Sequence, residues 1–254
     1  MGWGDEIMAT ADARRLQARD PRPVAIRGKA GEARWHPIWN GNPRLAPPDQ
    51  VAAGASVQWL DHCGGRRPYL DYARFDGRKR YAYTDYRVEP GEIYLTADER
   101  ARFTELRDRV VIEPHIKPGA PRGKDWGWRR WQELVERTPH VRWIQLGPAG
   151  IAMLRGVQHV VTRDVREAAA AVSWARAVVC PEGGLHHCAA ALGIRGVVVF
   201  GGYISPRTTG YDLHENLFTG GEACGMRFRC GHCEQAMAKI TVGMVIESLE
   251  RVLG

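Results

Sequence analysis

Glycines and ionisable side chains occur together just after the apolar segment Ala177–Cys180. The chain there reads Glu182-Gly183-Gly184, and His187 follows within one helical turn. Two glycines leave backbone N–H groups accessible, and a helix amino terminus carries partial positive charge, so the pattern predicts a diphosphate site. Glu182 can accept hydrogen bonds from sugar hydroxyls, and His187 can bond a phosphate or orient Glu182. The alternative is a glycine turn between a strand and a helix, without a ligand.

A second segment places flexible cations after an apolar run. Residues 110–112 are followed by a loop rich in glycine and proline that carries Lys117, Arg122 and Lys124. Such side chains at the end of a strand suit a phosphate, because each brings a positive charge and several N–H donors. The loop therefore predicts a phosphate clamp. A solvated basic loop is the alternative.

Three of the six cysteines lie close together in sequence: Cys224, Cys230 and Cys233, with His232 beside the last. Three thiolates and an imidazole form a ligand set for zinc. Adjacent side chains such as those of His232 and Cys233 do not readily point at one ion, and the usual second Cys-x-x-Cys pair is missing. The pattern favours a structural or redox-prone loop over a zinc site, and no metal is expected.

From about residue 92 onward, strand and helix patterns alternate, and this alternation would position both segments. Apolar runs predict strands at 92–95, 110–115, 141–147, 159–161, 177–180 and 196–200. Helices are predicted at 97–108, 126–137, 165–175, 185–192 and 241–253. Such alternation builds a parallel sheet covered on both faces, an α/β fold. Ligands bind such sheets at the carboxyl ends of the strands, where both segments lie.

The first 95 residues have weaker patterns. A helix is predicted at 9–17 and a strand at 24–26, and loops rich in proline and glycine follow them. We therefore divide the chain into a reduced amino-terminal domain, residues 1–95, and a Rossmann-like domain, residues 96–254.

The composition is that of a globular protein. Across 254 residues, 44% apolar and 26% charged residues exclude disordered, collagen-like and coiled-coil chains. No apolar run reaches the ~18 residues of a membrane-spanning helix. The first residues lack the pattern of a secretory signal, so a cytoplasmic protein is expected. The net charge of +7 is spread along the chain and suits an anionic ligand without naming one.

Together these segments resemble glycosyltransferase family 9, the bacterial ADP-heptose:lipopolysaccharide heptosyltransferases. The family's aspartate–Ser/Thr–Gly–Pro/Leu–x–His–x–Ala–Ala run is similar to residues 182–190, where glutamate replaces the aspartate and Gly183 replaces the hydroxyl residue. The family's basic loop ending in Lys-x-Trp is similar to Lys124-Asp125-Trp126. Its amino-terminal Gly-Asp is similar to Gly4-Asp5, and its late Cys-x-x-Cys to Cys230–Cys233.

The resemblance implies a GT-B-like fold, with two Rossmann-like domains facing across a cleft. It also implies transfer of a heptose-like sugar from a nucleoside diphosphate, with ADP expected, to a glycan or lipid-linked lipopolysaccharide-type acceptor. The resemblance further implies inversion at the anomeric carbon, no cofactor and peripheral association with a membrane. The resemblance assigns the catalytic base to Asp5, and the donor contacts to Lys117, Lys124, Glu182, Gly183, Gly184 and His187.

Two other function classes stay open at this point. The short amino-terminal domain and the changes at Glu182 and Gly183 fit a non-catalytic module that binds a nucleotide sugar. The positive charge and the groups Arg66-Arg67 and Arg78-Lys79-Arg80 fit a protein acting on nucleic acid, the less favoured class. If Asp5 is not the base, the next candidates are Asp61 and His62.

Overall fold

A six-stranded parallel sheet forms the centre of the chain in this computed structural model, which describes residues 2–62, 66–74 and 80–254. The strand order is β5-β4-β3-β6-β7-β8, which is the doubly wound Rossmann order. This arrangement confirms the α/β expectation. The strands are β3 (Val110–Ile112), β4 (Trp143–Gly147), β5 (Gln158–Val161), β6 (Ala177–Pro181), β7 (Gly196–Gly201) and β8 (His214–Phe218).

Helices cover both faces of this sheet and occur in the amino-terminal part as well. Their bounds are α1 (Trp3–Gln17), α2 (Pro48–Ala52), α3 (Ala97–Ala101), α4 (Trp128–Arg137), α5 (Val165–Val172), α6 (Gly184–Ala191), α7 (Pro206–Thr209), α8 (Gly231–Lys239) and α9 (Val242–Leu253). Short 3-10 turns lie at Pro37–Trp39, Thr104–Leu106 and Arg122–Lys124. No helix in the described ranges has the length and apolar composition needed to cross a membrane.

The central strands are apolar on both faces because both faces are covered. Every residue of β6 and β7 is buried. Val178 and Val198 belong to one apolar cluster, and Val179 and Val197 belong to the cluster on the opposite face. Continuous β-branched strands are typical of buried parallel sheets. The direction of strand order reverses between β3 and β6, so a crevice for ligands is expected where these two strands end.

The first 95 residues form a small parallel pair of strands, β1 (Val24–Ile26) and β2 (Gln58–Leu60). The strand predicted at 24–26 is therefore present. Ile7 of α1 lies in the same apolar cluster as Val178 and Cys188 of the large sheet region, so the two parts of the chain share a core. A boundary between domains 1–95 and 96–254 stays a prediction.

Several predicted elements differ from the structure. Residues 92–95 form no strand, because the Glu92 N–H donates to the Thr10 hydroxyl at 2.7 Å and not to a neighbouring strand. The helix predicted at 97–108 ends at Ala101, where Phe103 turns into the core. The strand predicted at 110–115 ends at Ile112. The first helix begins at Trp3 and not at residue 9. The elements β8 and α8 lie in segments where none was predicted.

Candidate functional site

The crevice between β3 and β6 contains a buried ion pair. Glu182 directly follows β6, and Lys124 ends the 3-10 turn in the loop after β3. The Lys124 ammonium contacts the Glu182 carboxylate, and the two side chains are 17% and 5% exposed. Lys124 also lies 5.1 Å from the centre of the Tyr203 ring, within range of a cation–π contact. The structure therefore brings together the two segments singled out from sequence.

Glu182 is held as a carboxylate although it is buried. Burial, the largest single influence, would raise its pKa, but the positive charge of Lys124, the neighbouring His186 and hydrogen bonds to the carboxylate together outweigh it, so the pKa lies below its usual value. A buried, charged pair at a strand end gives the site one cation and one acceptor close together. A phosphate would compete for the cation, and sugar hydroxyls could donate to the acceptor.

His186 anchors the amino terminus of α6. Its Nδ1 accepts the Gly183 N–H at 2.9 Å, and its Nε2 lies 2.8 Å from the Thr209 carbonyl, to which it donates. Both ring nitrogens are engaged, so His186 has a structural role. A Cβ built on Gly183 would have no neighbour closer than 3.9 Å, so this position has room for the hydroxyl residue of the resembled motif.

Gly184 lies under the indole of Trp3, at the start of α1. A Cβ on Gly184 would lie 2.4 Å from Trp3 Nε1, and a Cβ on Gly4 would lie 2.7 Å from His187 Cδ2. The two glycines thus allow α1 to lie directly against α6. The indole of Trp3 therefore covers one side of the α6 amino terminus.

His187 is a neutral, buried imidazole. Burial lowers its pKa well below the usual value, and the neighbouring His186 adds to the effect. The Tyr211 hydroxyl lies 2.7 Å from its Nδ1. Burial raises the pKa of Tyr211 well above its usual value, so the hydroxyl keeps its proton and donates it to Nδ1. Nε2 then carries the imidazole proton, 4.0 Å from Glu182.

Asp5 lies in the first turn of α1 and reaches the same region. The helix begins after Gly2, so Asp5 is the third residue of the helix and not its N-cap. The Tyr69 hydroxyl donates to Asp5 Oδ1 at 2.6 Å, and Arg67 Nε lies 3.1 Å from Oδ2. Both oxygens of this buried carboxylate are therefore engaged. Arg67 belongs to one of the basic groups noted in the sequence, but here it pairs inside the protein.

A second carboxylate of α1 holds a histidine. Asp12 lies two turns after Asp5, and its Oδ2 is 2.6 Å from His62 Nδ1. His62 is buried, and its Nε2 has no hydrogen-bond partner within the described ranges. Asp61, the other reserve candidate for the base, is 62% exposed and pairs with Arg27.

The remaining predicted cation, Lys117, is exposed on the loop, and its ammonium makes no hydrogen bond or ion pair within the ranges the structure describes. Arg122 is exposed as well. Of the basic loop, only Lys124 reaches Glu182. The structure brings Asp5, Lys124, Glu182, Gly184 and His187 into one region and leaves Lys117 outside it.

The clustered cysteines converge close to this region. Cys224 Sγ lies 3.2 Å from Cys233 Sγ and 3.9 Å from Cys230 Sγ. The hydrogen bond from Cys233 lowers the pKa of the Cys224 thiol below its usual value. Cys180 and Cys188 are buried, as expected for Cys180 from its apolar neighbours.

Four site residues were missed by sequence reasoning: Arg67, Tyr69, Tyr203 and Tyr211. Three are tyrosines, and each lies in a segment without clear periodicity. For Tyr69, the concentration of tyrosine in residues 69–86 was the available signal, because a buried amphipathic ring usually brings its hydroxyl to a polar partner. Tyr203 and Tyr211 lie outside that segment and had no such signal.

Comparison with protein-family models and with curated proteins finds no match to this chain. Solved structures do match. A glycosyltransferase of family 9 from Veillonella parvula matches with 12% identity over 100% of this chain and 95% of that chain, at a TM-score of 0.65. The iron-containing dodecameric glycosyltransferase TibC of enterotoxigenic E. coli matches with 14% identity over 99% and 74%, also at 0.65.

The ADP-heptose lipopolysaccharide heptosyltransferase II of E. coli matches with 17% identity over 64% of this chain, at a TM-score of 0.50. The match spans 53% of that enzyme, about half its length. Sequence identities of 12–17% support a comparison of folds only. The chain has the GT-B-like α/β fold of the heptosyltransferases and family 9 glycosyltransferases.

Proposed function

We propose that this chain is a glycosyltransferase that moves a sugar from a nucleoside diphosphate to an acceptor hydroxyl. The observation that carries the proposal is the Lys124–Glu182 pair at the β3–β6 crevice, with Asp5 of α1 reaching the same region. A GT-B-like fold supports it. ADP, a heptose-like sugar, inversion and a glycan or lipid-linked acceptor rest on the resemblance and on the name of the E. coli ADP-heptose enzyme.

Each side chain has a defined role in the proposed reaction. Lys124 binds the diphosphate and stabilises its charge as it leaves. Glu182 accepts hydrogen bonds from the donor sugar, and His187 presents its Nε2 proton toward Glu182. Asp5 takes the acceptor proton as the new bond forms, after the acceptor displaces one of the two groups that engage it. We place Lys117 at the rim, where its mobile ammonium attracts the nucleotide.

We also propose that the transfer step uses no divalent metal bound to the diphosphate. A lysine and a helix terminus supply the positive charge that such a metal would bring. Turnover in a reaction depleted of free divalent ions should therefore not rise when magnesium or manganese is added. A rise from zero on adding either ion would contradict this step.

We also propose that the chain can hold a thiophilic metal away from the reacting atoms, because the matching glycosyltransferase TibC is described as iron-containing. In this chain Cys224, Cys230 and Cys233 offer three sulfur atoms within 4.8 Å of one another. Thiolates suit iron and zinc, so these residues fit such a metal. Bound there, such a metal would supply a structural cross-link.

A panel of nucleotides tests the proposed function. ADP, UDP, GDP and CMP should be compared by thermal shift, because a ligand that binds only the folded protein raises its melting temperature. We expect ADP to give the largest shift and the matching nucleotide sugar to be hydrolysed or transferred. The absence of a shift with every nucleotide would contradict the proposal.

A non-catalytic nucleotide-sugar-binding module is the second candidate. It is favoured by the engagement of both Asp5 oxygens and by the indole over Gly184. Nucleotide binding without transfer or donor hydrolysis would support it. The nucleic-acid class is weaker, because Arg67 pairs with Asp5 and Arg80 donates to the Cys224 carbonyl. Residues 78–79 of the second basic group lie outside the described residues.

A further inference from the structure

The Tyr203 ring covers one side of the Lys124 ammonium. Tyr203 lies two residues after β7 and is 5% exposed, and the centre of its ring lies 5.1 Å from Lys124 Nζ. Burial raises the pKa of Tyr203 above its usual value, so the ring presents the face of a neutral phenol. Such a face attracts a cation without bringing a second negative charge to the crevice.

This contact changes what an incoming phosphate must overcome at Lys124. In the free protein the ammonium also contacts the buried Glu182 carboxylate. Breaking a buried ion pair is costly, because each charge then loses its compensation. The aromatic face stabilises the ammonium from a second side, so the cation keeps one partner when it turns from Glu182 toward a phosphate. Tyr203 therefore suits Lys124 both before and after a phosphate binds.

Two tyrosines from the amino-terminal part of the chain support this ring. The centres of the Tyr81 and Tyr83 rings lie 6.4 and 6.3 Å from the centre of the Tyr203 ring, both in edge-to-face geometry. The Tyr83 hydroxyl also donates to the Tyr203 carbonyl at 2.9 Å. The position of Tyr203 therefore depends on the segment that carries Tyr83.

The same segment reaches Asp5. Residues 69–70 and 83–84 pair in antiparallel fashion, and we call them the tyrosine ribbon. Within it the Thr84 N–H donates to the Tyr69 carbonyl at 3.1 Å. The Tyr69 hydroxyl in turn donates to Asp5 Oδ1 at 2.6 Å. The ribbon thus carries both the tyrosine that holds Asp5 and the tyrosine that holds Tyr203.

We propose that Tyr203 is a positioning residue for Lys124 and that the tyrosine ribbon couples Tyr203 to Asp5. A nucleoside diphosphate that takes the ammonium from Glu182 then stabilises the ribbon and, through Tyr69, the carboxylate that receives the acceptor proton. The inference deepens the proposed function and rests on it.

Calorimetric titration with ADP compares two variants of Tyr203. Tyr203→Phe keeps the aromatic face and should bind ADP within about twofold of the wild-type affinity. Tyr203→Leu removes the face and should bind ADP about threefold to tenfold more weakly, the range for loss of a cation–π contact. Equal affinities in the two variants would overturn the positioning role.

The Lys124→Ala background separates this effect from packing. Without the ammonium, Tyr203→Phe and Tyr203→Leu should bind ADP equally, because the ring has no cation to hold. A difference that persists in this background would make Tyr203 a packing residue and contradict the proposal.

Urea unfolding of the same four variants tests the contact without any nucleotide. The difference in stability between Tyr203→Phe and Tyr203→Leu should be larger when Lys124 is present than in the Lys124→Ala background. Equal differences would rule out the contact between the ring and the ammonium. If this coupling is found while no nucleotide binds the wild-type protein, the proposed function fails and the Lys124–Tyr203 contact stands.

Hydrogen exchange tests the ribbon in the wild-type protein, so this measurement does not depend on how a variant folds. Saturating ADP should slow exchange of the Thr84 amide at least about fivefold, the lower end of the usual coupling between two sites. Exchange at Thr84 that ADP does not change would overturn the coupling to Asp5.

Tyr83→Phe tests the route of this coupling. It keeps the ring but removes the hydrogen bond to the Tyr203 carbonyl, so ADP should no longer protect the Thr84 amide. Tyr94→Phe changes an exposed tyrosine outside the ribbon and should keep the protection. Protection that survives in Tyr83→Phe would remove the bond between Tyr83 and Tyr203 from the route.

Discussion

Lys124 lies between the Glu182 carboxylate and the Tyr203 ring, and an arriving diphosphate would share its positive charge with both. We predict that Lys124→Ala weakens nucleotide binding by about 1.5–3 kcal/mol, the value for a charge-assisted hydrogen bond. Calorimetric titration with ADP measures this directly.

Lys117→Ala is the matched control, because Lys117 lies on the same loop but is exposed. It should change affinity by less than about 1 kcal/mol, as expected for an exposed charge. Equal losses in the two variants would mean that the loop acts through its net charge and that Lys124 has no special place in the site.

Asp5 is expected to remove the acceptor proton. Asp5→Asn keeps the size of the side chain but removes its basicity, so kcat should fall at least about a hundredfold while nucleotide affinity changes little. Steady-state kinetics with the donor that gives the largest thermal shift provides the measurement.

His62 provides the competing explanation. Its Nδ1 is held by Asp12, and its Nε2 has no partner within the described ranges, so it could receive a proton. His62→Gln should leave kcat within about tenfold if Asp5 is the base, because general-base catalysis contributes ~10²–10⁴-fold. Near-normal turnover in folded Asp5→Asn, with a large loss in His62→Gln, would transfer the role to His62.

The two glycines at the start of α6 should respond very differently to substitution. Gly184→Ala would force a methyl group against Trp3, and such overpacking costs about 1–3 kcal/mol. Gly183→Ser meets open space and adds an N-cap hydroxyl, so its stability should rise by roughly a few tenths of a kcal/mol.

Urea unfolding of both variants compares these effects at neighbouring positions of one turn. Loss of stability in Gly183→Ser, or none in Gly184→Ala, would contradict the close contact between α1 and α6. Trp3→Ala in the Gly184→Ala background should recover part of the lost stability, because it removes the indole that the added methyl group would contact.

The sequence predicted the central sheet well, because its strands are continuous apolar runs separated by helices. It missed β8, whose polar residues His214, Glu215 and Asn216 suit an edge strand paired on one side only. Edge strands need no two-sided apolar pattern.

Part of the site was predictable as well, because the alternation of strands and helices predicts the parallel sheet. Lys124 and Glu182 follow strands of one parallel sheet, so the topology alone brings their segments to one edge. Arg67 and Tyr69 come from a segment without periodicity, and their contacts with Asp5 depend on tertiary packing. No short-range pattern encodes such a contact.

Acid should destabilise the whole molecule through its buried histidines. Burial lowers the pKa of His186 and His187, and it lowers that of His214 to about 3. Below about pH 6.5 the unfolded chain binds protons that the folded chain does not, so stability falls as pH falls. Each such histidine contributes a slope of about 1.4 kcal/mol per pH unit.

Urea unfolding between about pH 5 and 7 measures this slope. His214→Gln should reduce it by about one proton's contribution, whereas His140→Ala, at an exposed position, should leave it unchanged. A stability that does not vary across this interval would show that these imidazoles are protonated in the folded protein.

The direct contact of α1 with α6 also bears on how a ligand could enter and leave. Gly4 and Gly184 bring the two backbones together, and Ile7 and Cys188 continue the contact within one apolar cluster. A clamshell opening about a hinge would expose this apolar surface to water at a cost of about 25 cal/mol per Å². Sliding of the helices along each other keeps it covered, and packed helices commonly move by such small shear displacements. We therefore expect exchange of the proposed nucleotide sugar to proceed by shear along the α1–α6 contact.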